Sequence, residues 1–157
     1  MRIRMSKKEE KALNLLFHSE TYPGMVRKEA SDIKLILWRN NTLGEYITWS
    51  FIETNECCIL RRVIWKQRAE YNLNEPETFC ADAIISKNMF TLLSDSFLKL
   101  NYDNIKVVGS KISIDGIEYG IIVQDKKFKW NDESLLSCYE LSKLFKNTVT
   151  ELETMFL

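Results

Sequence analysis

Glu45-Tyr46-Ile47-Thr48-Trp49-Ser50-Phe51-Ile52 is the stretch that decides the fold. Successive side chains of a strand point to opposite faces, so Ile47, Trp49 and Phe51 share one side and Tyr46, Thr48 and Ser50 the other. That alternation is the pattern of a strand with one dry face and one wet face. On either side lie two more β-branched and aromatic runs, Ile33 to Arg39 and Cys57 to Lys66. Turn-rich Asn40-Asn41-Thr42-Leu43-Gly44 and Thr54-Asn55-Glu56 separate the three, and together they read as an antiparallel meander.

Further out, Thr78 to Ile85 is a fourth strand candidate, reached through the polar stretch Gln67 to Glu77. Asp115-Gly116 between alternating apolar runs predicts a two-residue hairpin, because glycine tolerates the positive φ that such a turn needs. Pairing Ile114 with Ile117 puts Val108, Ile112, Ile114, Ile117, Tyr119, Ile121 and Val123 on one face, with Lys111, Ser113, Glu118 and Gln124 opposite. Three helices complete the pattern. Ser6 and Glu9 form a capping box ahead of Ala12, Leu13, Leu16 and Phe17, and Thr21 to Gly24 stops that helix. Ser86 caps a second carrying Met89, Phe90, Leu93, Phe97 and Leu100. The third, opened by Asn131 and Asp132, carries Leu135, Cys138, Leu141, Phe145, Val149, Leu152 and Phe156.

The expected fold is therefore α+β: a single antiparallel sheet of about five to six strands, meander plus hairpin, with helices mainly on one face and a long C-terminal helix. Residues 1–157 read as one domain, since no repeat, low-complexity tract or compositional shift marks a boundary. A composition of 45% hydrophobic and 28% charged residues suffices for a self-supporting core.

Lysine plus arginine and aspartate plus glutamate each total 22, so no global field favours a polyanion and nucleic acid is disfavoured as a partner. No apolar run reaches the ~18 residues of a membrane span, and the charged start Met1 to Glu10 lacks the apolar stretch of a secretory signal. Cys57, Cys58, Cys80 and Cys138 have no C-x-x-C spacing and read as reduced, packed thiols, which fits a cytoplasmic location.

The chemistry-bearing motifs are absent from the sequence. With His18 the only histidine, no multi-histidine metal site forms within one chain. No Gly-rich phosphate loop, dinucleotide turn or nucleophile elbow is present, and no cofactor or metal is expected. His18 with Cys57, Cys58, Cys80 or Cys138 could form a thiol–imidazole pair only if the fold brought them together. Glu75 with Glu77, or Glu77 with Asp82, would have to converge to divide acid and base roles. Ser31-Asp32-Ile33-Lys34 matches S-x-x-K without its companion motifs and reads as a strand entrance.

Arg61-Arg62 inside an apolar strand is the unusual feature. Alternation puts Arg61 among Ile59, Val63 and Trp65, and Arg62 among Cys58, Leu60 and Ile64, so a guanidinium must approach a covered side and find a carboxylate or water. Arginine beside aromatic rings is the composition of a binding hot spot, which makes Trp38, Tyr46, Arg61, Arg62 and Trp65 the candidate partner-binding residues. The same mixture on an open sheet could stack single-stranded RNA bases, a minor alternative.

The stretch from Ile112 to Leu157, with Ile114-Asp115-Gly116-Ile117-Glu118-Tyr119, Phe128-Lys129-Trp130 and a closing helix, resembles the C-terminal half of small bacterial α+β proteins. Immunity-type proteins that bind and block a toxin are among them. The missing catalytic motifs, together with four tryptophans and six tyrosines of which some are left on the uncovered face of a one-sided sheet, point to a non-catalytic, cytosolic protein-binding module of immunity or regulatory type, with an unidentified protein as partner. The alternative is a small hydrolase or transferase with a thiol or carboxylate site in a sheet–helix cleft. A third reading is homo-oligomerisation through the last helix or a sheet edge, which is compatible with the binding module.

Overall fold

A computed structural model of the protein describes residues 4–25, 32–68, 74–104, 116–131 and 139–157. Six strands form one open antiparallel sheet: β1 (Asp32–Asn41), β2 (Glu45–Glu53), β3 (Cys58–Lys66), β4 (Thr78–Ile85), β5 (Ile117–Val123) and β6 (Lys126–Asn131). Their order is β4-β3-β2-β1-β5-β6, so the meander occupies one half and β5 returns to the outer side of β1. Helices α1 (Lys7–Phe17), α2 (Lys87–Leu98) and α3 (Tyr139–Thr154) complete an α+β architecture. No helix among the described residues is long and apolar enough to cross a membrane.

Local chemistry starts the first two helices where the sequence indicates, whereas Asn131, read as an opener of the third, is instead the last residue of β6, and Asp132 lies outside the described residues. Ser6 Oγ accepts from Glu9 N–H at 3.2 Å, and Glu9 Oε2 accepts from Ser6 N–H at 2.8 Å. Ser86 Oγ accepts from Met89 N–H at 3.1 Å at the head of α2. Each such cap contributes about 1 kcal/mol by satisfying a donor that the first turn leaves open.

Helices α2 and α3 share one face. Their Phe90, Leu93, Phe97, Leu141, Phe145, Val149 and Leu152 pack on Leu35, Leu37, Ile47, Trp49, Phe51, Leu60, Tyr119, Ile121 and Trp130. The opposite face is not wet. Ala12 and Leu16 of α1 cover Ile36, Trp38, Tyr46, Val63 and Trp65 in a second core. The expectation of one dry and one wet side for residues 45–52 is thereby corrected, since Tyr46 through Ile52 are all buried. Thr48 and Ser50 tolerate burial because their hydroxyls are satisfied. Thr48 Oγ1 donates to Leu16 C=O at 2.9 Å, and Ser19 Oγ donates to Ser50 Oγ at 3.0 Å.

On β5, Ile117, Tyr119, Ile121 and Val123 share the α2/α3 side as expected. The Ile114–Ile117 pairing, with Val108, Lys111, Ile112 and Ser113, lies outside the described residues, as do Leu135 and Cys138. Instead, β5 pairs with β6 through Gln124 and Asp125, whose φ values are +48° and +63°. A two-residue turn with both φ positive matches the twist of the flanking strands, and it is formed here without the usual Asn-Gly signal.

Candidate functional site

The five candidate binding residues fall on two faces. Trp38, Tyr46 and Trp65 form a row beneath α1: Tyr46 stacks on Trp65 with centroids 6.5 Å apart and lies 5.9 Å from Trp38. Phe17 closes the row edge-on, 6.1 Å from Trp38 and 5.8 Å from Tyr46. All three are buried, so their rings serve the second core and offer a partner or a base almost no surface.

Arg61 lies in the same layer with 1% exposure. Its Nε and Nη2 donate to Asp82 Oδ1 and Oδ2 at 2.7 and 2.8 Å, and Nη1 donates to Ser19 C=O at 2.7 Å. The fork ties β3 to β4 and pins the turn after α1, with the charge compensated bidentately as burial requires. Hydrogen bonding to Asp82 raises the Arg61 pKa, against the opposing pull of desolvation. Arg62 points to the other face, where Nη1 donates to Glu153 Oε2 at 2.6 Å and the guanidinium lies 4.4 Å from the Phe156 ring centroid. Glu153 Oε1 also accepts from Trp49 Nε1 at 2.7 Å, so one carboxylate locks α3 to β2 and β3.

No thiol–imidazole pair is assembled among the described residues. His18 caps the C-terminus of α1, 65% exposed by its side chain, with Nδ1 3.9 Å from Glu20. Cys80 sits half-buried on β4, and desolvation pushes its thiol up to about 12 despite nearby Arg61, the reverse of an activated nucleophile. Glu75 pairs with Lys11 and Asp82 with Arg61, so one member of each acidic pair is engaged by a cation. A shallow cleft of about 510 Å³ opens beside the β2–β3 turn, lined by Asp32, Glu53, Thr54, Glu56, Cys57 and Lys87. Among the described residues, no group of three or more His, Cys, Asp or Glu could hold a metal ion.

The two sheet edges differ in a way that the strand sequences alone do not show. The β6 edge carries Lys126, Lys127 and Lys129 within six residues, and lysine on an edge discourages pairing with another strand. The β4 edge has eight residues, no lysine, no proline and no irregularity in its register with β3. Its one charge, Asp82, is engaged by Arg61. Ile84 is 79% exposed and Phe79 48% exposed, with Lys66 Nζ 5.0 Å from the Phe79 ring.

Which β4 groups face outward follows from the ladder. Lys66 N–H donates to Glu77 C=O at 2.9 Å, which makes 66 and 77 a hydrogen-bonded pair. In register, Phe79, Ala81, Ala83 and Ile85 then turn their backbone groups to β3, while Thr78, Cys80, Asp82 and Ile84 turn theirs to the free edge. Thr54 N–H to Cys57 C=O at 2.9 Å sets the matching phase on the other side of β3. No described residue pairs with that free edge.

No family model matches the chain, and no curated protein or solved structure matches it either.

Proposed function

We propose that the protein is a non-catalytic binding module that takes up an extended polypeptide segment along β4. One observation carries this reading: an eight-residue edge without lysine, proline or bulge, with Ile84 79% exposed beside it. Natural sheets protect their edges because unpaired N–H and C=O groups template another strand, and β6 shows that protection where β4 does not. Strand addition draws affinity from main-chain hydrogen bonds and specificity from the alternate side chains. This reading retains the protein-binding role expected from sequence, including an immunity-type or regulatory use. It moves the interface from Trp38, Tyr46, Arg61, Arg62 and Trp65 to Thr78, Cys80, Asp82 and Ile84.

Ile84→Pro tests it. Proline removes an outward donor and leaves the bonds to β3 intact, a position where edge strands accept it. A polypeptide retained stoichiometrically by the tagged wild-type chain is expected to be lost from Ile84→Pro at unchanged thermal stability. Equal retention by both chains, or no self- or heterologous association of the wild type, overturns the proposal.

A further inference from the structure

The geometry points to a second copy of this chain as the occupant of the β4 edge, related by a two-fold axis through Ala81. This inference rests on the reading of β4 as the binding edge and names its partner. In an antiparallel pair, only residues whose backbone groups face outward can exchange hydrogen bonds, so Thr78, Cys80, Asp82 and Ile84 must meet one another across the axis. Centring on Ala81 sets Thr78 against Ile84 and Cys80 against Asp82 in both directions, making about eight backbone hydrogen bonds with no outward group left over. Centring on Asp82 instead brings two carboxylates face to face, which is destabilising, and leaves Thr78 out of the pairing. Centring on Cys80 leaves Ile84 unused.

Side chains agree with the same register. On the α2/α3 side, the half-exposed Phe79 ring lies across from the small Ala83, and Ala81 meets its own copy, so bulk is set against space. On the other side, the exposed Ile84 meets Thr78. The strand is entered through Glu77, with Glu75 before it already held by Lys11, and left at Lys87. An antiparallel copy therefore brings the acidic end of one strand beside the basic end of the other. A single strand pair buries a small interface, so association belongs to the weak, reversible class.

Sedimentation of the full chain over a dilution series, taken to the highest soluble concentration, is expected to show a reversible monomer–dimer equilibrium. Ile84→Pro is expected to weaken it about tenfold to a hundredfold, through two symmetry-related hydrogen bonds and the bulk of the ring. In a Cys80→Ser background, Ala81→Cys sits on the axis at a non-hydrogen-bonded site, where Cα atoms approach to about 4.5 Å, within disulfide range. It is expected to form a disulfide-linked dimer under mild oxidation, and Ala83→Cys in the same background is not. A wild type monomeric at every concentration overturns the proposal, as does a dimer indifferent to Ile84→Pro or a folded Ala81→Cys chain that fails to cross-link. The broader reading fails separately, when Ile84→Pro keeps every heterologous companion of the wild type.

Discussion

Gly120 stands opposite Trp38 in the β1–β5 register, and a Cβ built on it would lie 2.0 Å from the indole Cε2. The indole lies over the bare glycine backbone, so Gly120→Ala is expected to cost about 1–3 kcal/mol by overpacking. Chemical denaturation reads that loss, and Trp38→Leu should relieve part of it in a double-mutant cycle. Asp82 is the complementary case. Asp82→Ala strands the buried Arg61 guanidinium and is expected to cost about 3 kcal/mol, whereas Asp82→Ala with Arg61→Met should regain much of it, since an apolar pair of similar volume removes the uncompensated charge. That one of Arg61 and Arg62 approaches a covered side and needs a carboxylate or water was legible from the alternation of Cys57 to Lys66; which one was not. Asp82 as that carboxylate was not, because the match between residues 61 and 82 depends on the β3–β4 register.

Strand β4 carries the test that separates its two rows of backbone groups. Ala83→Pro removes a donor to β3 and is expected to destabilise the fold by about 1–3 kcal/mol through an unsatisfied carbonyl. Ile84→Pro, one residue on, removes an outward donor and should leave the unfolding midpoint nearly unchanged. Equal losses at both positions would show that the ladder phase is not the one described. The β5–β6 turn offers a test of a different kind. Asp125 holds φ of +63°, so Asp125→Gly should stabilise the hairpin by up to about 1 kcal/mol. The meander, its turns and both N-terminal helix caps were readable from sequence, because alternation, Gly or Asn clusters and Ser-x-x-Glu act over a few residues. Strand β6 escaped that reading: its lysines masked the alternation of Phe128 and Trp130, and Gln124-Asp125 lacks the glycine that usually marks such a turn.

For the molecule as a whole, two faces of packed apolar surface set the alkaline limit. Desolvation pushes the Cys80 thiol up to about 12 from an ordinary 9.0 and the Tyr102 hydroxyl up to about 12 from 10.0. It is also the larger cause of the raised Tyr46 pKa, ahead of repulsion from Glu118. Each is an acid whose folded pKa exceeds its unfolded one, so between those values the native state holds more protons than the unfolded state. Stability is then intact below about pH 9 and falls as pH rises toward 12. Denaturation midpoints measured from pH 8 to 11 should decline over that range, with Tyr46 and Tyr102 ionising only as the chain unfolds. A midpoint flat to pH 11 would contradict the burial of these groups.

Sequence by itself determined the class of the protein: period-two strands, capped helices and an α+β chain with no catalytic or metal motif. These follow from interactions spanning a few residues, where side-chain type and spacing are the physics. Tertiary structure alone decided which face α1 covers, and so turned Trp38, Tyr46 and Trp65 from candidate surface into core. It also decided that β4 and not β1, β2 or β3 is left at an edge. Edge and interior strands share the same alternation; what distinguishes them is whether a neighbour satisfies the second row of N–H and C=O groups, and that depends on strand order, which local sequence does not encode.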